Sequence, residues 1–182
     1  MVAGLSHNSR MLTDGVITLR PPREDDADAI IEAVQDPEIP RWTGVPSPYG
    51  PAQARVYLER AGQSRALGSE YAFLCVDAEG ALLGAFSVME LGKREGYGEI
   101  GYWVAAPARG RGVASRAVTL LREWAVRDLG LSTIELVIHE DNAGSKRVAE
   151  RTGFLATGER RPAPRREQPG PPDHDVYAWS PE

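Results

Sequence analysis

Pro107-Ala108-Arg109-Gly110-Arg111-Gly112-Val113-Ala114 decides the reading of this chain. It sits between a strand-like run, Glu99-Ile100-Gly101-Tyr102-Trp103-Val104, and an amphipathic stretch in which Val113, Ala117, Leu120, Leu121 and Trp124 recur at helical spacing. Gly130 ends that helix, and Thr133-Ile134-Glu135-Leu136-Val137-Ile138 follows as a β-branched strand. Residues 99–138 therefore read as a strand–helix–strand unit, predicted to be a right-handed parallel crossover. Gly110 and Gly112 allow close backbone approach to a ligand. Free N–H groups at a helix start, with the helix dipole behind them, make an anion site, and Arg109 and Arg111 add positive charge. That chemistry suits a pyrophosphate.

Other readings of the loop are weaker. No Gly-Lys-Ser/Thr follows, so it is not a Walker loop. Gly110, Gly112 and Ser115, with Glu135 downstream, approximate a dinucleotide fingerprint, but Glu135 lies inside a strand and the third glycine is missing. An Arg/Gly-rich turn opening an ordinary helix remains possible from this loop alone.

Outward from the unit, the first half reads as an antiparallel meander. Val16–Arg20 is a first strand, and Glu24, Asp25 and Asp26 favour the start of a helix carrying Ala27, Ile30, Ile31 and Val34. Residues 36–51, with Pro37, Pro40, Pro46, Pro48 and Pro51, are predicted to be irregular, and Pro51 to open a second helix. Trp42 and Tyr49 in that loop are either substrate contacts or packing anchors. Tyr71–Asp77 and Leu82–Leu91 form a hairpin around Ala78-Glu79-Gly80. After the central unit come a short helix from Ala143 to about Thr152, a strand Leu155–Glu159, an extended Pro/Arg-rich loop Arg160–Pro172 and a last strand within Asp175–Trp179. The 182 residues read as one α/β domain, with residues 1–14 frayed.

Composition narrows the function. Apolar residues make up 42% of the chain, enough for a real core, and the net charge of −5 is interleaved, unlike a nucleic-acid footprint. No stretch approaches the length of a membrane span, and Met1–Met11 lacks a hydrophobic signal core, so the expected location is cytoplasmic. The single cysteine, Cys75, lies in an apolar run and reads as a buried structural thiol rather than a catalytic one. No metal-ligand spacing appears; His7, His139 and His174 are scattered, and His139 either reaches the site or has a structural role.

Arg109-Gly110-Arg111-Gly112-Val113-Ala114 resembles the (Gln/Arg)-x-x-Gly-x-(Gly/Ala) pyrophosphate loop of the GNAT acetyltransferases. Asn142-Ala143-Gly144-Ser145, followed by Gly153-Phe154, resembles the second signature of that superfamily in its ribosomal-protein N-terminal acetyltransferase (Rim-type) branch, as does Glu99-Ile100-Gly101-Tyr102-Trp103. The order of elements is similar over about residues 14–180. The resemblance implies a mixed α/β sheet of about seven strands, splayed between the fourth and fifth, with about four helices. It implies acetyl-CoA as cosubstrate and no metal. The pyrophosphate would rest on backbone N–H groups of Gly110, Arg111, Gly112, Val113, Ala114 and Ser115, and the pantetheine arm would run beside Trp103-Val104-Ala105. Asn142 would contact the pantetheine or cap a helix. A homodimer is common in that branch.

The implied reaction is acetyl transfer to an amine by direct attack on the thioester. The acceptor would be a peptide N-terminus or a small-molecule amine; a non-catalytic acyl-CoA-binding module is the remaining class. Glu99 is the candidate base, directly or through water, or else an exposed strand carboxylate that fixes the substrate's cation or does nothing. The Val104 N–H is the oxyanion donor by resemblance. The position of the superfamily's usual acidic tyrosine is Ala149 here. Ser145 is the substitute acid, or it positions coenzyme A or the helix. The long 160–172 segment departs from the branch where the acceptor would bind.

Overall fold

The computed structural model describes residues 10–162 and 173–181. Its chain order is β1 (Leu12–Thr13), β2 (Thr18–Arg20), α1 (Ala27–Ala33), α2 (Glu38–Trp42), α3 (Pro51–Leu67), β3 (Tyr71–Val76), β4 (Leu82–Met89), β5 (Tyr97–Val104), α4 (Val113–Leu129), β6 (Thr133–His139), α5 (Ala143–Arg151), β7 (Leu155–Arg161) and β8 (His174–Trp179). The strands form one mixed sheet in the order β1-β2-β3-β4-β5-β6-β8-β7.

Both faces of the sheet are covered, which is why β3 is apolar at every position. On one face Phe73, Phe86 and Ile100 pack against Val113, Ala117, Leu121 and Trp124 of α4. Trp124 is fully buried and meets Tyr71 and Phe73 edge-on at 5.1 and 5.4 Å. On the other face Leu74 and Ala85 pack with Ile30, Val34 and Ile39 from α1 and α2. The alternation of Phe73 and Leu74, and of Ala85 and Phe86, sorts these side chains between the two faces.

Several expectations need correction. Leu12–Thr13 are not frayed: they pair with Leu19 and Thr18, because Asp14 accepts hydrogen bonds from the amides of Val16 and Ile17 and so closes a tight turn. That turn also shortens the next strand to Thr18–Arg20. Residues 36–51 are not irregular throughout. Pro37 caps α2 and Pro40 falls in its first turn, where an N–H has no intrahelical acceptor, so neither proline breaks it. Among the described residues the mixed sheet has eight strands flanked by five helices, in keeping with the expected about seven and about four. Arg160 and Arg161 do not open a loop but complete β7; residues 163–172 of that expected loop lie outside the described residues.

The parallel crossover is present, and it is brief. β5 and β6 pair only through Tyr97↔Thr133, Gly98↔Ile134 and Glu99↔Glu135. Beyond that rung Ile100–Val104 stay with β4, and Leu136–His139 stay with β8. The sheet is thus split between the fourth and fifth of the strands expected from sequence.

Candidate active site

The loop before α4 lies at the mouth of the split. Gly110 and Gly112 have φ of +73° and +79°, a region that L side chains avoid. A Cβ at either would meet nothing within 4 Å, so backbone conformation, not lack of room, calls for glycine there. The first intrahelical bond of α4 runs from the Arg116 amide to the Gly112 carbonyl at 3.1 Å. The amides of Val113, Ala114 and Ser115 therefore lack intrahelical acceptors and point out of the helix start. The Arg109 guanidinium is already engaged: its Nε donates to the Val104 carbonyl at 3.1 Å, and it forms an ion pair with Asp36. Arg109 thus ties the loop to β5 and to the segment before α2.

Arg109, Gly110, Gly112, Val113, Ala114 and Ser115 line a cavity of about 580 Å³, together with Trp103, Val104, Asn142 and Ser145. Arg111 and Ala105 are not among its walls. The Ala105 amide donates to the Leu83 carbonyl at 2.9 Å. Successive strand residues turn their amides to opposite edges, so the Val104 amide faces the split.

A second cavity, about 550 Å³, lies between β4–β6 and α1–α3. Glu99, Trp42 and Tyr49 line it, as do Trp103, Asn142 and Ser145. The two cavities share Trp42, Thr43, Tyr102, Trp103, Asn142 and Ser145, so they meet through the split. Glu99 is only 6% exposed, which removes the reading of an exposed strand carboxylate. Its neighbour Glu135 accepts from Tyr97 Oη at 2.7 Å and from Arg161 Nη1 at 2.6 Å.

Asn142 caps α5: its Oδ1 accepts the Ser145 amide at 3.0 Å. Trp42 does more than pack. Its Nε1 donates to Glu38 at 2.9 Å, and its ring stands edge-on to His139 with centroids 5.4 Å apart, bridging the two sides of the split. His139 accepts the Asp141 amide through Nδ1 at 3.1 Å and lies edge-on to His174, so its ring is held from several sides.

Tyr102 is the residue that sequence reading passed over. It stacks on Phe86 at 5.3 Å, and its hydroxyl is buried beside Ser145 without a well-formed hydrogen bond. Burial pushes the phenol up to about 12, with the Ser145 hydroxyl drawing it partly back. In sequence it is one apolar-looking member of a strand; only its place between the two cavities marks it.

The profile of the acetyltransferase (GNAT) domain family matches residues 17–155. A Bacillus subtilis (strain 168) protein, named provisionally as the ribosomal N-acetyltransferase YdaF, is 34% identical over 83 residues, 46% of this chain and 45% of that protein. The chain thus spans under half the length of that relative. Mycobacterium smegmatis RimJ, solved in complex with CoA-disulfide, superposes with a TM-score of 0.80 at 21% identity over 99% of this chain and 90% of that one. The ribosomal-protein-S5-alanine acetyltransferase of Vibrio fischeri gives 0.78 at 18% identity over 94% and 96%. These superpositions establish the shared fold.

Proposed function

This chain belongs to the GNAT acetyltransferase family, and from that premise we propose that it moves an acetyl group from acetyl-CoA to the α-amine of a peptide N-terminus. One observation carries the reading: a cavity walled by outward-pointing amides and a cavity holding a buried carboxylate meet through the split beside Val104. The names of the ribosomal-protein acetyltransferases similar to this chain favour a peptide acceptor.

The cavity before α4 fits coenzyme A. Two positive-φ glycines leave room where a Cβ would stand, and the amides of residues 110–115 are the donors a pyrophosphate needs. Bound there, acetyl-CoA supplies the thioester carbonyl and a thiolate leaving group. The Val104 amide, turned into the split, donates to the carbonyl oxygen as charge develops. Trp42 and Trp103 wall the junction against water. Glu99 takes the proton from the attacking amine, directly or through water. Ser145 gives a proton to the departing sulfur, and the buried Tyr102 hydroxyl beside it is the group we assign to restore it.

Such a base need not be strong. An α-amine, with a pKa near 8, is about one-tenth neutral at pH 7, whereas a lysine amine is neutral in only about one molecule in 2,500. The second reading, a small-molecule amine, is favoured by the volume of the acceptor cavity, about 550 Å³, which suits a whole small ligand. Acetyl-CoA-dependent thiol release against N-terminal peptides and small amines tests both. Turnover of peptides supports the first reading, turnover of small amines alone supports the second, and no release from either, with coenzyme A bound, overturns the proposed reaction.

A further inference from the structure

The acceptor-side cavity is larger and more apolar than an amine alone requires. Its volume of about 550 Å³ falls within the range, roughly 300–1,000 Å³, that encloses whole small ligands. Its apolar walls come from Ile30 of α1, Val34 just after it, Tyr49 in the loop before α3, Tyr57 of α3, Ala85 of β4 and Trp103 of β5. Ile30, Val34 and Ala85 are each under one-tenth exposed, so these walls are fixed by the core behind them. Trp42, held by Glu38 and by the edge of His139, closes the end nearest Ser145. The Glu99 carboxylate lies on the β5 wall, beside the last paired rung of the split.

A short acceptor such as an N-terminal alanine or glycine leaves most of this volume to water, and water among apolar walls finds few hydrogen-bond partners. A planar apolar group displaces that water and meets the rings of Trp42, Tyr49, Tyr57 and Trp103. Glu99 holds a negative charge at the split end of the space, and the other carboxylate on its walls, Glu70, faces the Arg60 guanidinium at 3.9 Å. The acceptor is therefore bipolar, with its amine at the split and its apolar body between α1, α3 and β4.

We propose that the acceptor carries a bulky planar apolar group on the carbon chain bearing its amine, as in an N-terminal phenylalanine or tryptophan. This specificity rests on the acetyl transfer proposed above. It is a property of the walls, and it holds for a peptide or for a free arylalkylamine.

The test compares peptides that differ only in the first residue, Phe, Trp, Leu, Ser, Ala or Gly, by acetyl-CoA-dependent thiol release. The expected kcat/KM for Phe and Trp exceeds that for Ala by at least about tenfold, since each buried methylene alone discriminates by about that much. Val45→Trp, on the half-buried loop lining the same cavity, lowers the Phe-to-Ala ratio, and Ala85→Leu does so from the opposite wall; thermal melts identify a variant that has not folded. Equal rates or a preference for Ala, Ser or Gly overturn the specificity while leaving the transferase reading intact. A turnover-free readout separates the two: 2-phenylethylamine quenches the fluorescence of Trp42 and Trp103 saturably, and ethylamine does not. Quenching without turnover of any amine keeps the cavity's preference and sinks the transfer reaction. Absence of quenching by 2-phenylethylamine overturns the preference.

Discussion

Glu99 and Glu135 stand opposite each other on the last rung where β5 and β6 pair, and the strands separate immediately beyond them. The two carboxylates have different surroundings. Glu135 is tied to Tyr97 and Arg161, whereas Glu99 lines the acceptor-side cavity. Glu99→Gln is expected to lower kcat by about 10²-fold or more with the melting temperature little changed. Glu135→Gln is expected to weaken a charged hydrogen bond and cost about 1.5–3 kcal/mol of stability, with the larger effect on the melt. Steady-state rates and thermal melts of both variants decide this; a Glu99→Gln enzyme with wild-type kcat removes Glu99 as base.

Ser145→Ala and Tyr102→Phe should both slow turnover without loosening coenzyme A. The proposed proton donor is the serine, so its loss costs about 10²-fold in kcat, and loss of the tyrosine hydroxyl costs less. Isothermal titration with coenzyme A, beside kcat at several pH values, separates this from a packing defect, because Tyr102→Phe keeps the ring stacked on Phe86.

Gly112→Ala forces an L side chain to φ near +79°, at a cost of about 1–2 kcal/mol, although its methyl group would touch nothing. The expected outcome is an acetyl-CoA KM raised about tenfold or more with the acceptor KM unchanged. Arg111→Ala, outside the cavity walls, should move the same constant far less.

Arg20 and Asp26 form a half-buried pair with contacts of 2.6 and 2.8 Å, and Asp26 also accepts the Arg23 amide. Burial opposes the carboxylate's charge, but these hydrogen bonds overcome it and hold Asp26 below its ordinary value of 3.8. A group lowered in the folded state adds stability that is fully present above its unfolded value and is lost as pH falls through its folded one. Asp26→Asn should therefore be less stable at about pH 6 by about 1.5–3 kcal/mol, and the gap to wild type should close below pH 3.8. Urea melts across that range measure it.

Cys75 is fully buried in β3, and burial pushes its thiol up to about 12. A thiol raised in the folded state contributes stability below its unfolded value, about 8.5, and loses it as pH rises toward 12. The native protein should resist alkylation at about pH 8 and be labelled only on unfolding. Cys75→Val should leave kcat unaltered.

What could be read from sequence was what local chemistry encodes. Gly110 and Gly112 before a helix of clear period imply a backbone cradle, because few other sequences permit that turn. The strand–helix–strand unit follows from apolar spacing at 113–124 and β-branching at 133–138. Less legible were features set by contacts distant in sequence. A two-residue strand such as Leu12–Thr13 has no period to detect. Pro40 reads as a breaker until its place in the first turn of α2 is known. Tyr102 and Glu99 gain their environments from α5 and from the opening beside β6, neither of which their own strand announces. Arg109, read from sequence as adding positive charge to an anion site, lines the cavity before α4 and also bonds Val104 and Asp36, partners its own segment does not announce.

The two cavities meet at the same opening and share only Trp42, Thr43, Tyr102, Trp103, Asn142 and Ser145. This bears on the order of events. In the proposed reaction each reactant has a cavity of its own, so both can be aboard at once, and the acyl group need not pause on the protein between them. Double-reciprocal plots at several fixed concentrations of the second substrate should therefore intersect rather than run parallel, and an acceptor should exchange on and off whichever side its partner occupies.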